Sequence, residues 1–204
     1  MNGEPATYAA PRASRATDYG ASVATPQERQ RNAVIVSMLA YAGLRPTEDR
    51  GVTWADAQDR TLHVFAAKTG RARDVNLIAP LAQDLAEWRT SRRRPRNSEL
   101  IIPRPSGGHW TREDWANWRR RIWRPAAVEA GVTGDLRPYR LRGSFVSLLL
   151  WEGRSLTYVA EQAGHSVATL ARHYAGTMRE LENEPRVPAA EAIQNARDEI
   201  CGTH

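Results

Sequence analysis

The residues best suited to chemistry lie between Leu136 and Tyr174. This stretch carries Arg142 at the start of an amphipathic segment, a Gly164-His165-Ser166 turn, and a tyrosine nine positions after the histidine (174 − 165 = 9). An arginine is always charged and presents its N–H donors in a fixed fork that suits anionic oxygens. A tyrosine becomes nucleophilic as its phenolate. This combination favours an anionic partner, and we expect a nucleic-acid phosphate.

Basic residues are numerous along the whole chain and occur in clusters. The 29 Lys and Arg against 23 Asp and Glu give a formal net charge of +6, which favours an acidic partner without specifying a fold. Three clusters follow one another: Arg89, Arg92, Arg93, Arg94 and Arg96; then Arg119, Arg120, Arg121 and Arg124; then Arg137, Arg140 and Arg142. A solvated helix face would carry any one cluster, so only their succession supports nucleic-acid binding.

Lysine is almost absent from the chain. Lys68 is the only lysine among the 29 basic residues, and it falls at the predicted tip of a β-hairpin. One interpretation is chance, since a hairpin tip is an ordinary place for a lysine. The other is functional: the position needs a cation that can release a proton, which a guanidinium cannot do near neutral pH.

Five motifs together carry a resemblance to a known family. In chain order they are Gly43-Leu44-Arg45-x-x-Glu48, Lys68-Thr69-Gly70, Leu141-Arg142, Gly164-His165-Ser166 and Tyr174. Each is weak alone, but their order and spacing resemble the catalytic domain of the tyrosine recombinases, the phage-integrase family, over about residues 26 to 180. The resemblance implies an α+β, mostly helical fold with a small antiparallel three-stranded sheet.

The resemblance implies a role for each of five side chains. Tyr174 would attack a DNA phosphodiester and form a 3′-phosphotyrosyl link, Arg45 and Arg142 would hold the non-bridging oxygens, and Lys68 would protonate the departing 5′ oxygen. His165 would assist by hydrogen bonding or proton transfer. The chemistry is consistent: two arginines neutralise an anion that repels nucleophiles, and phenolate is also a good leaving group in the return step.

Two positions depart from the family pattern. Tyr139 stands three residues before Arg142, where the family commonly has a histidine. Its hydroxyl can still donate a hydrogen bond at the site, although a ring packed at a helix start is an equally good interpretation. Gly143 stands where a histidine or lysine is more usual. Both departures leave open whether this chain is active.

Other residues are expected to contact double-stranded DNA around this site. They are the neighbouring arginines Arg71, Arg73, Arg137 and Arg140. No cofactor and no metal is expected, because the arginines supply the positive charge that a metal ion would bring, and the sequence has no ligand cluster with metal-binding spacing.

The elements that must position these residues follow from hydrophobic periodicity and from cap and turn residues. We predict strands over Gly51 to Trp54, Thr61 to Ala66 and Arg73 to Leu77. We predict helices from Pro26 to about Ala42, from Pro80, from Thr111 to about Ala130 with a tryptophan stripe in the core, from Pro138 to about Trp151, and from Ser155 to Gly164. Ser166 caps a further helix that carries Tyr174 near its end.

The domain organisation follows from composition. Residues 1–24 are predicted to be a flexible segment, 25–180 the catalytic domain, and 181–204 a tail helix that docks either onto a neighbouring subunit on DNA or back onto its own domain. Family members usually carry an N-terminal helical domain, so we expect that this chain lacks it. The single Cys201 and the lack of a long apolar run predict a cytoplasmic protein that does not enter a membrane.

Three functions agree with the sequence. The first is a site-specific DNA recombinase or integrase, favoured because both arginines, the lysine, the histidine and the tyrosine are present. The second is a non-catalytic DNA-binding remnant, favoured by Tyr139, Gly143 and the expected lack of a second domain. The third is a topoisomerase that relaxes DNA with related chemistry and needs no specific site.

Overall fold

Helices make up most of the chain, and one small sheet lies beside them, in a computed structural model that describes residues 24–58, 60–66, 70–180 and 187–202. The helices are α1 (Pro26–Tyr41), α2 (Pro46–Asp49), α3 (Ala79–Ser91), α4 (Arg112–Trp118), α5 (Arg124–Glu129), α6 (Leu141–Trp151), α7 (Leu156–Ala163), α8 (Val167–Glu180) and α9 (Ala189–Gly202). The strands are β1 (Ala57–Gln58), β2 (Thr61–Ala66) and β3 (Arg71–Asn76).

Some predictions fall outside the described residues. They are the flexible segment up to residue 23, the Lys68 loop at residues 67–69, and tail residues 181–186 and 203–204. In the part of the chain that the structure describes, no helix combines the length and the apolar character that crossing a membrane requires.

Helix α1 lies at the centre of the core. The helix begins at Pro26, as predicted, and a reciprocal capping box between Thr25 and Glu28 stabilises its start. The helix ends before Gly43, whose φ of +58° suits glycine, and a Cβ there would lie 2.3 Å from the ring of Phe145 in α6. The close approach of α6 to the end of α1 therefore depends on this glycine.

The sheet has the order β1-β2-β3 with antiparallel pairing, and Leu62 lies opposite Val75. The predicted second strand is confirmed, and the third begins two residues earlier than predicted. The predicted strand from Gly51 to Trp54 is wrong. That segment pairs instead with residues 97–101: Trp54 N donates to Glu99 O at 3.0 Å, and Ile101 N donates to Val52 O at 3.0 Å.

The predicted long helix from Thr111 is interrupted in the middle. A π-helical turn, Arg119–Trp123, separates α4 from α5. Pro125 is the second residue of α5, and because proline has no backbone N–H the regular α-helical ladder cannot continue through it. The tryptophans still form a buried stack, with ring centroids 4.6 Å apart for Trp115 and Trp118, so their prediction as core is confirmed.

The elements that carry the site residues follow one another closely. A 3₁₀ turn, Pro138–Arg140, leads directly into α6, whereas the sequence predicted one helix from Pro138. Helix α7 is capped by Ser155 and ends at Gly164 with a left-handed φ of +60°. Ser166 accepts a hydrogen bond from Thr169 N at the start of α8, as predicted.

Helix α9 packs against α3 and α6 of its own domain. Ala189 and Ile193 are buried there. Arg197 forms an ion pair with Asp84 of α3 at 3.0 Å and lies over the ring of Tyr41. The described part of the tail is therefore helical, and it docks in cis.

The buried carboxyl group of Asp49 is expected to lower the stability of the folded chain. Asp49 is 0% exposed, and neither carboxylate oxygen has a hydrogen-bond partner among the described residues. Burial raises the pKa of Asp49 well above its usual 3.8, and Arg50 only partly opposes this. The folded chain thus holds a proton that the unfolded chain has released, and stability falls as pH rises from about 3.8 through the raised pKa.

We therefore predict that Asp49→Leu increases the free energy of unfolding at pH 7 by about 1–3 kcal/mol, because it removes an unpaired buried polar group. Urea titrations at pH 7 and pH 4 measure the change, which should be larger at pH 7. Asp49→Asn is the control, since it removes the titration but keeps a polar group. A less stable Asp49→Leu protein at both pH values would contradict the prediction.

Candidate active site

The C-terminal end of α7 holds three arginines together. Three successive backbone carbonyls accept from three different guanidiniums: Gln162 O from Arg73 Nε at 3.0 Å, Ala163 O from Arg142 Nη2, and Gly164 O from Arg45 Nη2 at 3.1 Å. The last carbonyls of a helix have no partner within the helix, and they form the negative end of its dipole. This end of α7 is therefore a binding site for cations, and the arginines occupy it.

Arg142 lies deepest of the three. It is 1% exposed, and its Nη1 donates to Gly43 O at the end of α1, while its Nε donates to His165 Nε2 at 3.3 Å. Burial, followed by the charges of Arg45 and Arg73, lowers the pKa of Arg142 to about 10. The guanidinium remains charged at neutral pH, and one N–H on each terminal nitrogen is left for another acceptor.

Glu48 connects the other two arginines. Its Oε1 accepts from Arg45 Nη1 at 2.6 Å, and its Oε2 accepts from Arg73 Nη2 at 2.8 Å and from the backbone N–H of Arg45 at 2.8 Å. Burial alone would raise the pKa of Glu48, but the hydrogen bonds and charges of Arg73 and Arg45 lower it to about 2. Glu48 is thus an anion that holds both guanidiniums at any pH near neutral.

His165 faces the arginines from the turn between α7 and α8. Burial, followed by the charges of Arg142, Arg45 and Arg73, lowers the pKa of His165 to about 4. Because Nε2 accepts from Arg142, the proton of the neutral ring lies on Nδ1, which has no partner among the described residues. The histidine is therefore a neutral group that orients Arg142 and retains one N–H donor.

Tyr174 on α8 borders a small cavity of about 60 Å³ beside these groups. The cavity is lined by Tyr139, Arg140, Arg142, Gly143, His165 and Tyr174. Gly143 lies so close that a Cβ there would be 3.5 Å from the Tyr174 hydroxyl. Burial raises the pKa of Tyr174, Arg142 opposes this, and Tyr139 acts in the same direction as burial. The resting phenol is neutral, next to a cation that would stabilise its phenolate.

The structure brings most of the predicted site residues to one place. Arg142, His165, Tyr174, Tyr139 and Arg140 border the cavity. Arg45 is not among the residues that line it; its Nη2 donates to the carbonyl of Gly164, the residue before His165. Among the described residues, no three His, Cys, Asp or Glu side chains are grouped as a metal site requires.

The other predicted residues lie in different surroundings. Arg73 is held by Glu48 and by a helix carbonyl, Arg71 is exposed at the start of β3, and Arg137 is exposed and paired with Asp135 at 2.6 Å. DNA contacts by these arginines stay predictions, as does the role of Lys68, which lies outside the described residues.

Two site residues were missed by sequence reasoning. Glu48 was quoted as part of a motif, and its position three residues after Arg45 was a signal for a paired carboxylate. Gln162 was assigned no role, although it is a polar residue on the face of α7 that buries Val159 and Ala163. A glutamine on a buried face needs partners for its amide, and only the folded chain shows which they are.

The chain is similar to known proteins in both sequence and fold. The phage integrase family matches residues 17–180. Tyrosine recombinase XerD of Mycobacterium tuberculosis is 28% identical over 150 residues, and that of Mycobacterium leprae is 30% identical over 154 residues. Each alignment covers 71% of this chain and 47% of the relative. The chain thus spans about half the length of the curated relatives it matches.

Solved structures show the same fold. A crystal structure of XerA recombinase superposes with a TM-score of 0.62 at 23% identity, covering 78% of this chain and 60% of that one. XerH recombinase in a post-cleavage complex with palindromic difH substrate gives a TM-score of 0.62 at 24% identity, covering 78% and 46%. The expected fold class, mostly helical with a small antiparallel three-stranded sheet, is confirmed.

The state of His165 can be tested by its titration. A folded pKa of about 4 against a usual 6.5 means that the unfolded chain binds more protons between these values, so this group's contribution to stability is complete above pH 6.5 and is lost as pH falls towards 4. We predict that the NMR signals of the His165 ring do not titrate between pH 8 and 5.5. His165→Gln identifies the signals by their loss, and a midpoint above pH 6 would contradict the geometry.

Proposed function

Because the chain belongs to the phage integrase family, we propose that it is the catalytic part of a site-specific DNA recombinase, which cuts and rejoins DNA through a 3′-phosphotyrosyl intermediate. The observation that carries the proposal is the single cavity bordered by the Tyr174 phenol, the Arg142 guanidinium and the His165 ring. The nucleophile, the cation and the neutral ring that orients this cation meet there at the scale of one phosphate.

The charge of the site suits a phosphodiester. Arg45, Arg73 and Arg142 contribute three positive charges and Glu48 one negative charge, so these groups sum to +2 (3 − 1 = 2) while His165 is neutral. Glu48 and the carbonyls of α7 fix the arginines without cancelling their charge. A phosphate entering the cavity would find donors already oriented, which is the arrangement that stabilises developing negative charge.

The proposed reaction exchanges one ester bond at phosphorus for another, first in cleavage and then in rejoining. The oxygen of Tyr174 attacks the scissile phosphorus, the bond from phosphorus to the 5′ oxygen breaks, and the phenol proton leaves to solvent. Lys68 gives a proton to the departing 5′ oxygen, a role carried over from the family resemblance. A 5′-hydroxyl of a second strand then attacks the phosphotyrosyl link and gives its proton to the neutral amine of Lys68. The released phenolate takes a proton from solvent, so both side chains are restored and the number of phosphoester bonds is unchanged.

Double-stranded DNA is the proposed partner. XerH, which shares the fold, is bound to difH substrate in both pre-cleavage and post-cleavage complexes. In this chain Arg71, Arg137 and Arg140 are exposed around the site, and we expect them to contact the DNA backbone, where arginines supply affinity that depends on salt. Tyr139 is 47% exposed at the cavity and is proposed to donate its hydroxyl to a phosphate oxygen.

Covalent trapping tests the proposal. In a duplex with a nick a few nucleotides 3′ of the scissile phosphate, cleavage releases a short fragment that carries the freed 5′-hydroxyl. Loss of this fragment prevents rejoining, so the protein-DNA link accumulates. We predict an adduct that is stable in denaturing detergent and that Tyr174→Phe abolishes it, since the phenyl ring keeps the packing but lacks the nucleophile. Tyr158→Phe on α7 is the matched control and should form the adduct. An adduct that persists in Tyr174→Phe would show that another residue is the nucleophile and would contradict the proposal. No adduct with any duplex would favour a non-catalytic DNA-binding remnant.

Self-association through the tail is the second part of the proposal. Helix α9 is held on its own domain by two buried apolar side chains and by the Arg197–Asp84 ion pair. An identical groove on a neighbouring chain would offer the same contacts, so α9 can be exchanged between subunits at little cost in contact energy. We propose that this exchange joins subunits on DNA.

Charge reversal separates exchange from docking in cis. Asp84→Arg and Arg197→Asp each place like charges together, whether the tail docks in cis or in trans. In an equal mixture of the two variants, each exchanged tail meets a groove of opposite charge on the other variant, whereas a tail docked in cis still meets its own sign. We therefore predict that sedimentation on DNA recovers the assembly in the mixture and in the doubly reversed chain. A mixture that sediments like either single variant would contradict exchange.

A further inference from the structure

The free edge of β3 is closed by a side chain. Strand β3 pairs with β2 on one side, and on its other side the backbone groups of two residues meet Gln162 of α7. The Gln162 Oε1 accepts from Asn76 N at 2.8 Å, and its Nε2 donates to Asp74 O at 3.1 Å. An edge strand leaves such groups unpaired, and here one amide replaces the missing strand.

The fit between this amide and the strand edge is specific. Gln162 is 6% exposed, so its amide has left water and needs both hydrogen bonds. A carboxylate of the same shape would accept from Asn76 N but could not donate to Asp74 O. An apolar side chain of the same length would leave both backbone groups without their partner.

The same residue reaches the arginines through its backbone. Arg73, the neighbour of Asp74 on β3, donates from Nε to the carbonyl of Gln162 at 3.0 Å. The terminal nitrogens of Arg73 then hold Glu48 at 3.2 and 2.8 Å, and Glu48 holds Arg45. A shift of β3 along α7 would therefore move each of these groups in turn.

The side chains around the end of α7 are closely packed. A Cβ at Gly164 would lie 3.1 Å from the side chain of Arg73, so the guanidinium fills the space beside the end of α7. Arg45 donates to the carbonyl of the same glycine. The position of β3 against α7 thus determines the position of Arg45, because Arg45 is held by Glu48 and Glu48 is held by Arg73.

We propose that Gln162 is a positioning residue for the phosphate site: by fixing β3 against the end of α7, its side-chain amide places Arg45 through Arg73 and Glu48. This inference rests on the proposed function, and it adds a residue that touches neither phosphate nor nucleophile. Gln162 acts by setting the position of the Arg45 guanidinium.

The test compares rates of adduct formation under single-turnover conditions on the nicked duplex. Gln162→Met keeps the length and the packing but loses both hydrogen bonds. We expect the rate at saturating DNA to fall about 10- to 100-fold, because a misplaced catalytic group costs about that much, while the DNA concentration for half-maximal rate changes less than about threefold. Gln83→Met, an exposed glutamine on α3 that bonds only to Glu87, is the control and should leave the rate unchanged.

A double variant shows whether Gln162 acts through Arg45. If Gln162 acts through Arg45, the effects of replacing the two residues are not additive. Gln162→Met should then slow an Arg45→Ala protein less than about twofold. If it slows that protein by the same factor as it slows the wild type, the inference is overturned. A Gln162→Met protein with the wild-type rate overturns it as well.

Amide exchange keeps the inference testable whatever the outcome of the cleavage assay. In Gln162→Met we expect the Asn76 amide to exchange at least about tenfold faster and the Arg73 Nε–H signal to shift, while the Ile35 amide in α1 keeps its protection. Unchanged Asn76 and Arg73 signals, or equal loss of protection at Ile35 through general unfolding, would overturn the positioning role. If the wild type forms no adduct, the proposed function fails, and these signals still decide whether Gln162 fixes β3.

Discussion

The site depends on how three arginines are held together against their mutual repulsion. Helix α7 ends in three carbonyls that each accept from a different guanidinium, and Glu48 bridges two of them from the opposite side. A helix C-terminus carries about half a negative charge, which is enough to attract cations and too little to neutralise them. The positive field that a phosphate needs is therefore retained.

This field sets the protonation state of several groups around the cavity. Burial and this field together hold His165 neutral and lower the pKa of Arg142 to about 10, and the contacts with the arginines keep Glu48 ionised although burial alone would raise its pKa. Without a bound anion, the charged guanidinium of Arg142 is under electrostatic strain, since burial and like charges both disfavour it. Binding a phosphate would relieve that strain, and the same guanidinium would stabilise the phenolate of Tyr174.

The two departures from the family pattern act on one side of this cavity. Tyr139 replaces a group that can become a cation with one that can only donate a hydrogen bond, and Gly143 adds no side chain beside the Tyr174 hydroxyl. Neither change touches the contacts between the arginines and α7. The contacts that hold the arginines are thus independent of both departures, although Gly143 directly follows Arg142 on α6.

The sequence alone determined the parts of this protein that local rules govern: the starts of α1, α7 and α8, the ends of α1 and α7, the tryptophan core, and the order of the motif residues. The end of α8 was not among them, because that helix continues to Glu180 although Tyr174 was predicted near its end. Their spacing also indicated the family. Tertiary structure decided the rest, because hydrogen-bonding partners distant in the chain leave no local pattern. Residues 51–54 were predicted to be a strand of the sheet but pair with residues 97–101. The ion pair of Arg73 with Glu48 joins residues 25 positions apart, and Gln162 finds its partners 86 and 88 positions away.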